Sequence, residues 1–303
     1  MNTTATITLS TTSSLRTING IMVGNVPSVV NYYKQDKEYN MKVIAWWSAG
    51  VTSAVATKLA IDEFGKDNVI PIYFAIDSAH PDNARFKNQC EDWYGREIIT
   101  ERAPEKYKDQ FDVITKDRYV NGVGGARCTM ILKKRVRQRL EKEMDYSAQV
   151  FGFEYTKKEV NRAIRFQEQY PDAKPLFPLI ENKMNKPECL YYLERQGIRR
   201  PRMYELGYNN NNCIGCVKGG MGYWNKIRQD FPESFDRMAK AEREVGNSCI
   251  KNVFLDELDP NAGRQTKIVM PDCGNFCDIE FSEVLHPRLQ EVFEKPVQLR
   301  LDI

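Results

Sequence analysis

Histidine is nearly absent: His80 and His286 are the only two in 303 residues. A zinc centre built on three imidazoles is therefore excluded. No apolar run approaches the roughly 20 residues that a membrane-spanning helix needs, so a soluble chain is expected. No glycine loop ends in Gly-Lys-Ser/Thr, which rules out a Walker A phosphate site. An excess of one charge is also lacking. The 44 Lys and Arg against 41 Asp and Glu leave a net charge of +3, too small for wholesale binding to nucleic acid or membrane. There is no secretory signal, no internal repeat, and no low-complexity tract beyond the asparagines at 209–212. Residues 1–35 contain no acid, and Arg16 and Lys34 are their only bases. They lack the Arg-rich amphipathic stretch of an organelle transit segment. Residues 1–40 are therefore read as a poorly ordered extension, with Met41 a natural start before the first strong strand.

What is present describes an ordinary globular core, with 42% hydrophobic, 28% charged and 11% aromatic residues. The length suits one large domain, or one domain with a substantial appendage. Eight cysteines occur, at 90, 128, 189, 213, 216, 249, 273 and 277. In a large chain without a secretory signal a reducing, cytoplasmic setting is expected, where paired cysteines act as metal or redox ligands rather than disulfides.

The run KVIAWW (42–47) is apolar without a 3.6 period, as a buried parallel strand should be. SAGVTS follows, then a helix over SAVATKLAIDEFG closed by Gly65. NVIPIYFAID (68–77) reads as a second strand, residues 129–143 as a basic helix, and SAQVFGFE (147–154) as a third strand. Alternation of this kind predicts an α/β fold with a doubly wound parallel sheet over 41–184. Its strand C-termini and their loops would share one edge. From 185 to 303 a helical and irregular, cysteine-bearing region is expected. It holds one helix at PECLYYLERQG (187–197) and one Trp/Tyr-bearing helix near 221–245.

SAGVTS carries the first chemistry. Ser48, Ala49, Gly50, Val51, Thr52 and Ser53 lie between a strand and a helix start. Gly50 permits a tight turn, the small neighbours leave backbone N–H groups open, and the helix points its positive end at the same place. Ser48, Thr52 and Ser53 add hydroxyls. An ordinary helix cap would use the same residue types. The segment resembles the PP-loop (adenine nucleotide alpha hydrolase-like) superfamily, whose motif reads Ser-Gly-Gly-x-Asp-Ser, with Ala49 and Thr52 as departures. The resemblance implies an adenine nucleotide ligand, ATP or an adenylyl or phosphoadenylyl sulfate.

Further elements resemble the phosphoadenylyl and adenylyl sulfate reductase branch, in order, over about 42–245. AIDSAHPDNARF is similar to its Asp-Thr-Gly…Phe-Pro-Glu-Thr stretch, which implies nucleoside contacts at Asp77 and Ser78. GFEYTKKEVNRAIRF is similar to its Gly-x-Arg…Glu-Ser…Arg stretch, with Gly152, Glu159 and Arg162 at the matching places. FPLIENKMNKPECLYYLERQGIRRPRMYELGYNNNNCIGC is similar to its region ending in Gly-Cys-x-x-Cys.

Cys213 and Cys216 form a C-x-x-C pair able to grip one metal centre from a single turn. With Cys128 they resemble the cysteines that hold a 4Fe–4S cluster in adenylyl sulfate reductases, although Arg127 stands where those have a further cysteine. Three thiolates leave one iron without a ligand from this set. Cys273, Cys277 or an exogenous sulfide could complete it. A Cys₄ zinc site from Cys213, Cys216, Cys273 and Cys277 is the alternative metal. Cys90, Cys189 and Cys249 are read as packed thiols.

Six bases and no acid lie between 127 and 139: Arg127, Lys133, Lys134, Arg135, Arg137 and Arg139. Arg127 and Lys133 are assigned to the substrate anion, and the outer arginines to solvent or a polynucleotide backbone. PDCGNFC is the closest stretch to the reductases' Glu-Cys-Gly-Leu-His motif. That implies Cys273 as nucleophile and Cys277 as resolving thiol, with thioredoxin or another dithiol as donor. The expectation is a phosphoadenosine phosphosulfate reductase-like enzyme. The alternative is an ATP-dependent sulfurtransferase that thiolates a nucleic acid through an iron–sulfur cluster, although nucleic acid is not the favoured partner.

Overall fold

The computed structural model describes residues 41–120 and 125–263 in full and the backbone at 17–18 and 21–22. Cys273 and Cys277 lie outside the described residues. Near the N-terminus, β1 (Thr17–Ile18) pairs antiparallel with β2 (Ile21–Met22).

The main sheet has five parallel strands: β3 (Val43–Trp47), β4 (Val69–Phe74), β5 (Ile99–Glu101), β6 (Ala148–Val150) and β7 (Pro175–Leu176). Their order across the sheet is β5-β4-β3-β6-β7. β3 is central because VIAWW is apolar on both faces, and all five of its residues are buried. Pro71 in β4 is tolerated because β5 begins only opposite Ile72, so there β4 has one strand neighbour.

The chain leaves β3 toward β4 and later returns on the other side to β6. The gap beyond the C-termini of β3 and β6 is thus the topological switch point, where open α/β sheets bind ligands. The expected doubly wound sheet is confirmed. β5 and β7, of three and two residues, add to the three strands legible in the sequence.

Helices cover the sheet. α1 (Val51–Phe64) follows β3, α2 (Asn83–Tyr94) follows β4, and α3 (Gln110–Asp117) follows β5. α4 runs from Arg127–Thr129 through a π-helical stretch, Met130–Lys134, into Arg135–Glu143. α5 (Lys157–Gln169) and α6 (Pro178–Glu181) flank β7 in sequence. α7 (Lys186–Arg195) starts from a capping box between Asn185 and Glu188. α8 (Arg202–Glu205), α9 (Met221–Asp230) and α10 (Pro232–Val245) complete the set. The single helix expected near 221–245 is two helices. Pro232 lacks an N–H and sits at the first position of α10, so the earlier helix stops at Asp230.

The described residues from 41 onward fall within one compact unit. One cluster joins Phe111, Ile114, Val120 and Ala126 to Met203, Trp224, Met238 and Leu255, so α3 packs with the helices that follow residue 200. Asp109 links the same parts. It caps α3 by accepting from Asp112 N–H at 2.9 Å and accepts from Arg237 of α10 at 2.6 Å. No helix among the described residues is long and apolar enough to cross a membrane.

Candidate active site

The turn after β3 differs in detail from the sequence expectation. The left-handed residue is Ala49, at φ 59°, whereas Gly50 is extended at φ −90° and caps α1 without a side-chain bond. The space around Gly50 is tight, though bounded by side chains. A Cβ there would stand 3.3 Å from Ser48 Oγ and 3.6 Å from the Tyr204 hydroxyl. Ser53 curls back, accepting from Ser48 N–H at 3.0 Å and donating to Gly50 O at 2.9 Å. This buried hydroxyl locks the loop, while Ser48 is exposed. The first-turn N–H groups of a helix have no intrahelical partners, and the first turn of α1 carries no acid that would repel an anion.

Two further elements shape the loop. Gly152, just past β6, lies directly against it: a Cβ there would meet Ser53 N and Cα at 2.8 Å. From the other side the Tyr204 hydroxyl accepts Val51 N–H at 3.3 Å. Burial pushes that phenol up to about 12, against the opposing pull of the Val51 hydrogen bond. Asn211 ties the loop down through Nδ2, which donates to Ala49 O and to Asn83 Oδ1, both at 2.7 Å. Its Oδ1 is buried and has no partner among the described residues. A ligand N–H or hydroxyl would relieve the roughly 1–3 kcal/mol such an acceptor costs.

A cleft of about 480 Å³ opens here, walled by Ser48, Tyr73, Asn83, Lys133, Asn211 and Cys213 among others. Trp47 forms its apolar floor, stacked on Phe86 with ring centroids 5.7 Å apart. Next to it, Cys128, Cys213 and Cys216 line a second pocket of about 330 Å³ with Gln110, Thr129 and Leu132. The two share Ile76, Lys133, Asn212 and Cys213 as walls. The π-helical stretch, a feature frequent at functional sites, contains Leu132 and Lys133 and immediately follows Thr129.

Residues distant in sequence fix the C-x-x-C turn. The Tyr223 hydroxyl accepts Gly215 N–H at 3.1 Å and Cys216 N–H at 2.9 Å. Buried Gln110 donates to Ile214 O at 2.7 Å, and Ile214 N–H reaches Ser78 O at 2.8 Å. Gly215 takes the left-handed region at φ 76°, which permits the tight turn. The three thiols are soft donors with no imidazole or carboxylate in the pocket wall, a set suited to an iron–sulfur cluster or zinc. Among the described residues, no three His, Cys, Asp or Glu side chains converge as a single metal ion requires.

Of the residues singled out in the sequence, Ser48, Lys133 and Cys213 share the cleft, Gly50, Thr52 and Ser53 form the turn and helix start beside Ser48, and Gly152 abuts Ser53. Asp77 is exposed and paired with Arg102 at 2.5 Å. Ser78 donates to Gln110 and supports the thiol turn. Arg162 lies over the Phe153 ring at 4.4 Å and pairs with Glu159 at 3.3 Å. Arg127 is exposed and paired with Asp117 at 2.8 Å. Arg137 is buried, and Arg139 pairs with Glu101 at 2.6 Å. Cys90 and Cys189 are fully buried, and burial pushes both thiols up to about 12, as inert packed thiols should be. Sequence reading missed Tyr204, Asn211, Gln110 and Tyr223. The asparagine run at 209–212 was the only visible signal.

The model of the phosphoadenosine phosphosulfate reductase domain matches residues 42–219. The uncharacterized protein MJ0066 of Methanocaldococcus jannaschii is 26% identical over 242 residues, covering 76% of this chain and 48% of that protein. The chain thus spans about half the length of that relative. Among solved structures, a phosphoadenylyl-sulfate reductase from Candida auris in complex with phosphate aligns at TM-score 0.41 and 14% identity, over 69% of this chain and 98% of that one. The U34-tRNA thiolase NcsA from Methanococcus maripaludis, solved with its 4Fe–4S cluster, aligns at TM-score 0.33 and 13% identity, over 72% and 78%. With more than half of its residues under the family model, the chain belongs to the phosphoadenosine phosphosulfate reductase domain family.

Proposed function

We propose that the chain binds an adenine sulfonucleotide with its charged end at Ser48–Ser53 and reduces it through cysteine thiols. One observation carries this reading: the cleft lined by Ser48 and the pocket lined by Cys128 and Cys216 share Lys133 and Cys213 as wall residues. An anion held at the helix N-terminus would thus extend toward Lys133. A cysteine thiolate attacks the sulfur, and the sulfur–oxygen bond to the nucleotide phosphate breaks. The nucleotide leaves with the electron pair, and a cysteine S-sulfonate remains. A second thiolate attacks the cysteine sulfur, releasing sulfite and forming a disulfide. An external dithiol then reduces the disulfide and is itself oxidised. Cys273 is the proposed nucleophile and Cys277 the resolving thiol. Cys128, Cys213 and Cys216 would hold the cluster, which when bound would supply a redox-active centre beside the anion.

The second reading, ATP-dependent thiolation of a nucleic acid, is favoured by the exposed Arg135 on α4 and by a three-thiol set with one iron open. One assay separates the two. Under the first reading, adenylyl or phosphoadenylyl sulfate with a dithiol yields sulfite, and Cys273→Ser stops turnover while keeping nucleotide affinity. ATP cleavage that needs both a nucleic acid and a sulfur donor, with no sulfite formed, would overturn it in favour of the second.

A further inference from the structure

Arg127, expected from the sequence to hold the substrate anion, pairs with Asp117 and is absent from the cleft wall. The wall offers a different donor, and a chain of hydrogen bonds fixes its direction. Which way a side-chain amide points is decided by its partners. The chain starts at Ala49 O, a backbone carbonyl that can only accept. Asn211, buried in the cleft wall, must therefore turn Nδ2 toward it, at 2.7 Å. The same Nδ2 lies 2.7 Å from Asn83, so Asn83 presents Oδ1 to it. Asn83 is also buried, at the start of α2, and is left with Nδ2 for its other partner. That group donates to the Tyr73 hydroxyl at 3.4 Å. The Tyr73 oxygen thus accepts, and its own proton is left to be given elsewhere.

Tyr73 stands near the C-terminal end of β4, edge-on to the Trp47 ring with centroids 5.3 Å apart. It lines the cleft together with Ser48 and Lys133, and no described residue accepts its proton. We infer that Tyr73 donates its O–H to an anionic oxygen of the nucleotide ligand, in the role the sequence assigned to Arg127. This rests on the nucleotide reading above. Hydrogen bonds with one ionised partner are shorter and roughly twice as strong as neutral ones, so one phenol can take a measurable share of the affinity. Burial raises the pKa of this phenol, against the Asn83 hydrogen bond, and so keeps the proton in place at neutral pH. Asn83 acts through Tyr73 as a positioning residue: it occupies the hydroxyl oxygen and leaves only the donor to face a ligand.

The full chain is titrated by calorimetry with adenylyl sulfate, adenosine 5′-phosphate and adenosine. Tyr73→Phe keeps the ring against Trp47 and removes only the hydroxyl, so its melting temperature should stay near that of wild type. Its affinity for adenylyl sulfate should fall roughly tenfold or more, the usual worth of a hydrogen bond to a charged group. Adenosine, which has no anionic oxygen, should bind both proteins alike. A loss shared by adenosine 5′-phosphate assigns the bond to the phosphate, and a loss confined to adenylyl sulfate assigns it to the sulfonate. Asn83→Asp tests the direction of the chain, because a carboxylate cannot donate and would take the Tyr73 proton. Its loss of affinity should be smaller in the Tyr73→Phe background. Should Tyr73→Phe fail to fold, 3-fluorotyrosine at position 73 is a more acidic donor and should bind adenylyl sulfate at least as tightly as wild type. Unchanged affinity in Tyr73→Phe, an equal loss for adenosine, additive losses in the double variant, or weaker binding by the fluorinated chain overturns the inference and leaves the nucleotide reading standing. A wild-type chain that binds neither adenylyl sulfate nor adenosine 5′-phosphate overturns both together.

Discussion

The two ends of the site are built in opposite ways. The loop after β3 is folded by its own residues, with Ser53 bonding to Ser48 and Gly50, and Gly152, Tyr204 and Asn211 pack or bond against it from outside. The C-x-x-C turn makes little of itself. Gln110, Ser78 and Tyr223 hold it from three separate segments, and Cys128 arrives from a fourth. A local anion cradle can be specified by small residues in a row, whereas a multi-thiol pocket must gather ligands scattered along the chain. Substitutions should therefore separate the two functions.

The largest effect is expected where the two-sided sheet meets the loop. Gly152→Val would drive a side chain into the Ser53 backbone, at a cost of about 3 kcal/mol or more, since backbone cannot yield as a side chain can. Calorimetry should show nucleotide binding lost and a thermal melt should show the penalty. Gly220→Ala meets no atom within 4 Å, so it should cost only the roughly 1 kcal/mol or less of a poorer cap on α9 and leave nucleotide binding unchanged. Retained affinity in Gly152→Val would break the claim that the switch point holds the nucleotide.

Next, Gln110→Ala should remove the bonds to Ile214 and Gly215 and leave buried carbonyls unpaired, costing about 1–3 kcal/mol. Tyr223→Phe should cost a similar amount, because two N–H groups lose their acceptor. In both variants iron retention should fall while nucleotide affinity stays near wild type. A parallel loss of nucleotide affinity would show that the two ends are not separable.

Asn211→Ala tests a side chain that ties the loop to α2 from a position two residues before Cys213. It should weaken nucleotide binding by about 1 kcal/mol, through the freed Ala49 carbonyl, and disturb the neighbouring Cys213 loop only slightly. A double-mutant cycle with Gln110→Ala would read the coupling directly.

The smallest effect concerns pH. Asp82 is partly buried, which works to raise its pKa. The Arg85 hydrogen bond, the Arg202 N–H and the charges of Arg85 and Arg199 outweigh this and hold the carboxyl below its usual range. A depressed carboxylate contributes stability above its unfolded pKa, near ~4, and that contribution is lost as pH falls through the lower folded value. Asp82→Asn should therefore lower the melting temperature at neutral pH and flatten its acid dependence below about pH 4. Identical acid profiles for variant and wild type would remove Asp82 as the clamp between α2 and residues 199–202.

The sequence by itself determined the central strands, the anion loop and the C-x-x-C pair, because each is written in consecutive residues whose chemistry is local. KVIAWW reads as a strand buried on both faces, and SAGVTS reads as an anion cradle or an ordinary helix cap. Strands of two or three residues carry too few side chains to show a period, so β5 and β7 emerged only from pairing. Only the tertiary structure decided that Ala49, not Gly50, takes the left-handed turn, and that Gly152 is a spacing residue at the loop. It also turned Arg127 to Asp117 and made Lys133 a wall of both the cleft and the thiol pocket. Cys249 was indistinguishable in sequence from the packed thiols Cys90 and Cys189. It differs from them in being half-buried and in a buried carboxylate seven residues earlier that accepts its N–H. Proximity across a fold is set by how helices pack on a sheet, and no local pattern records it.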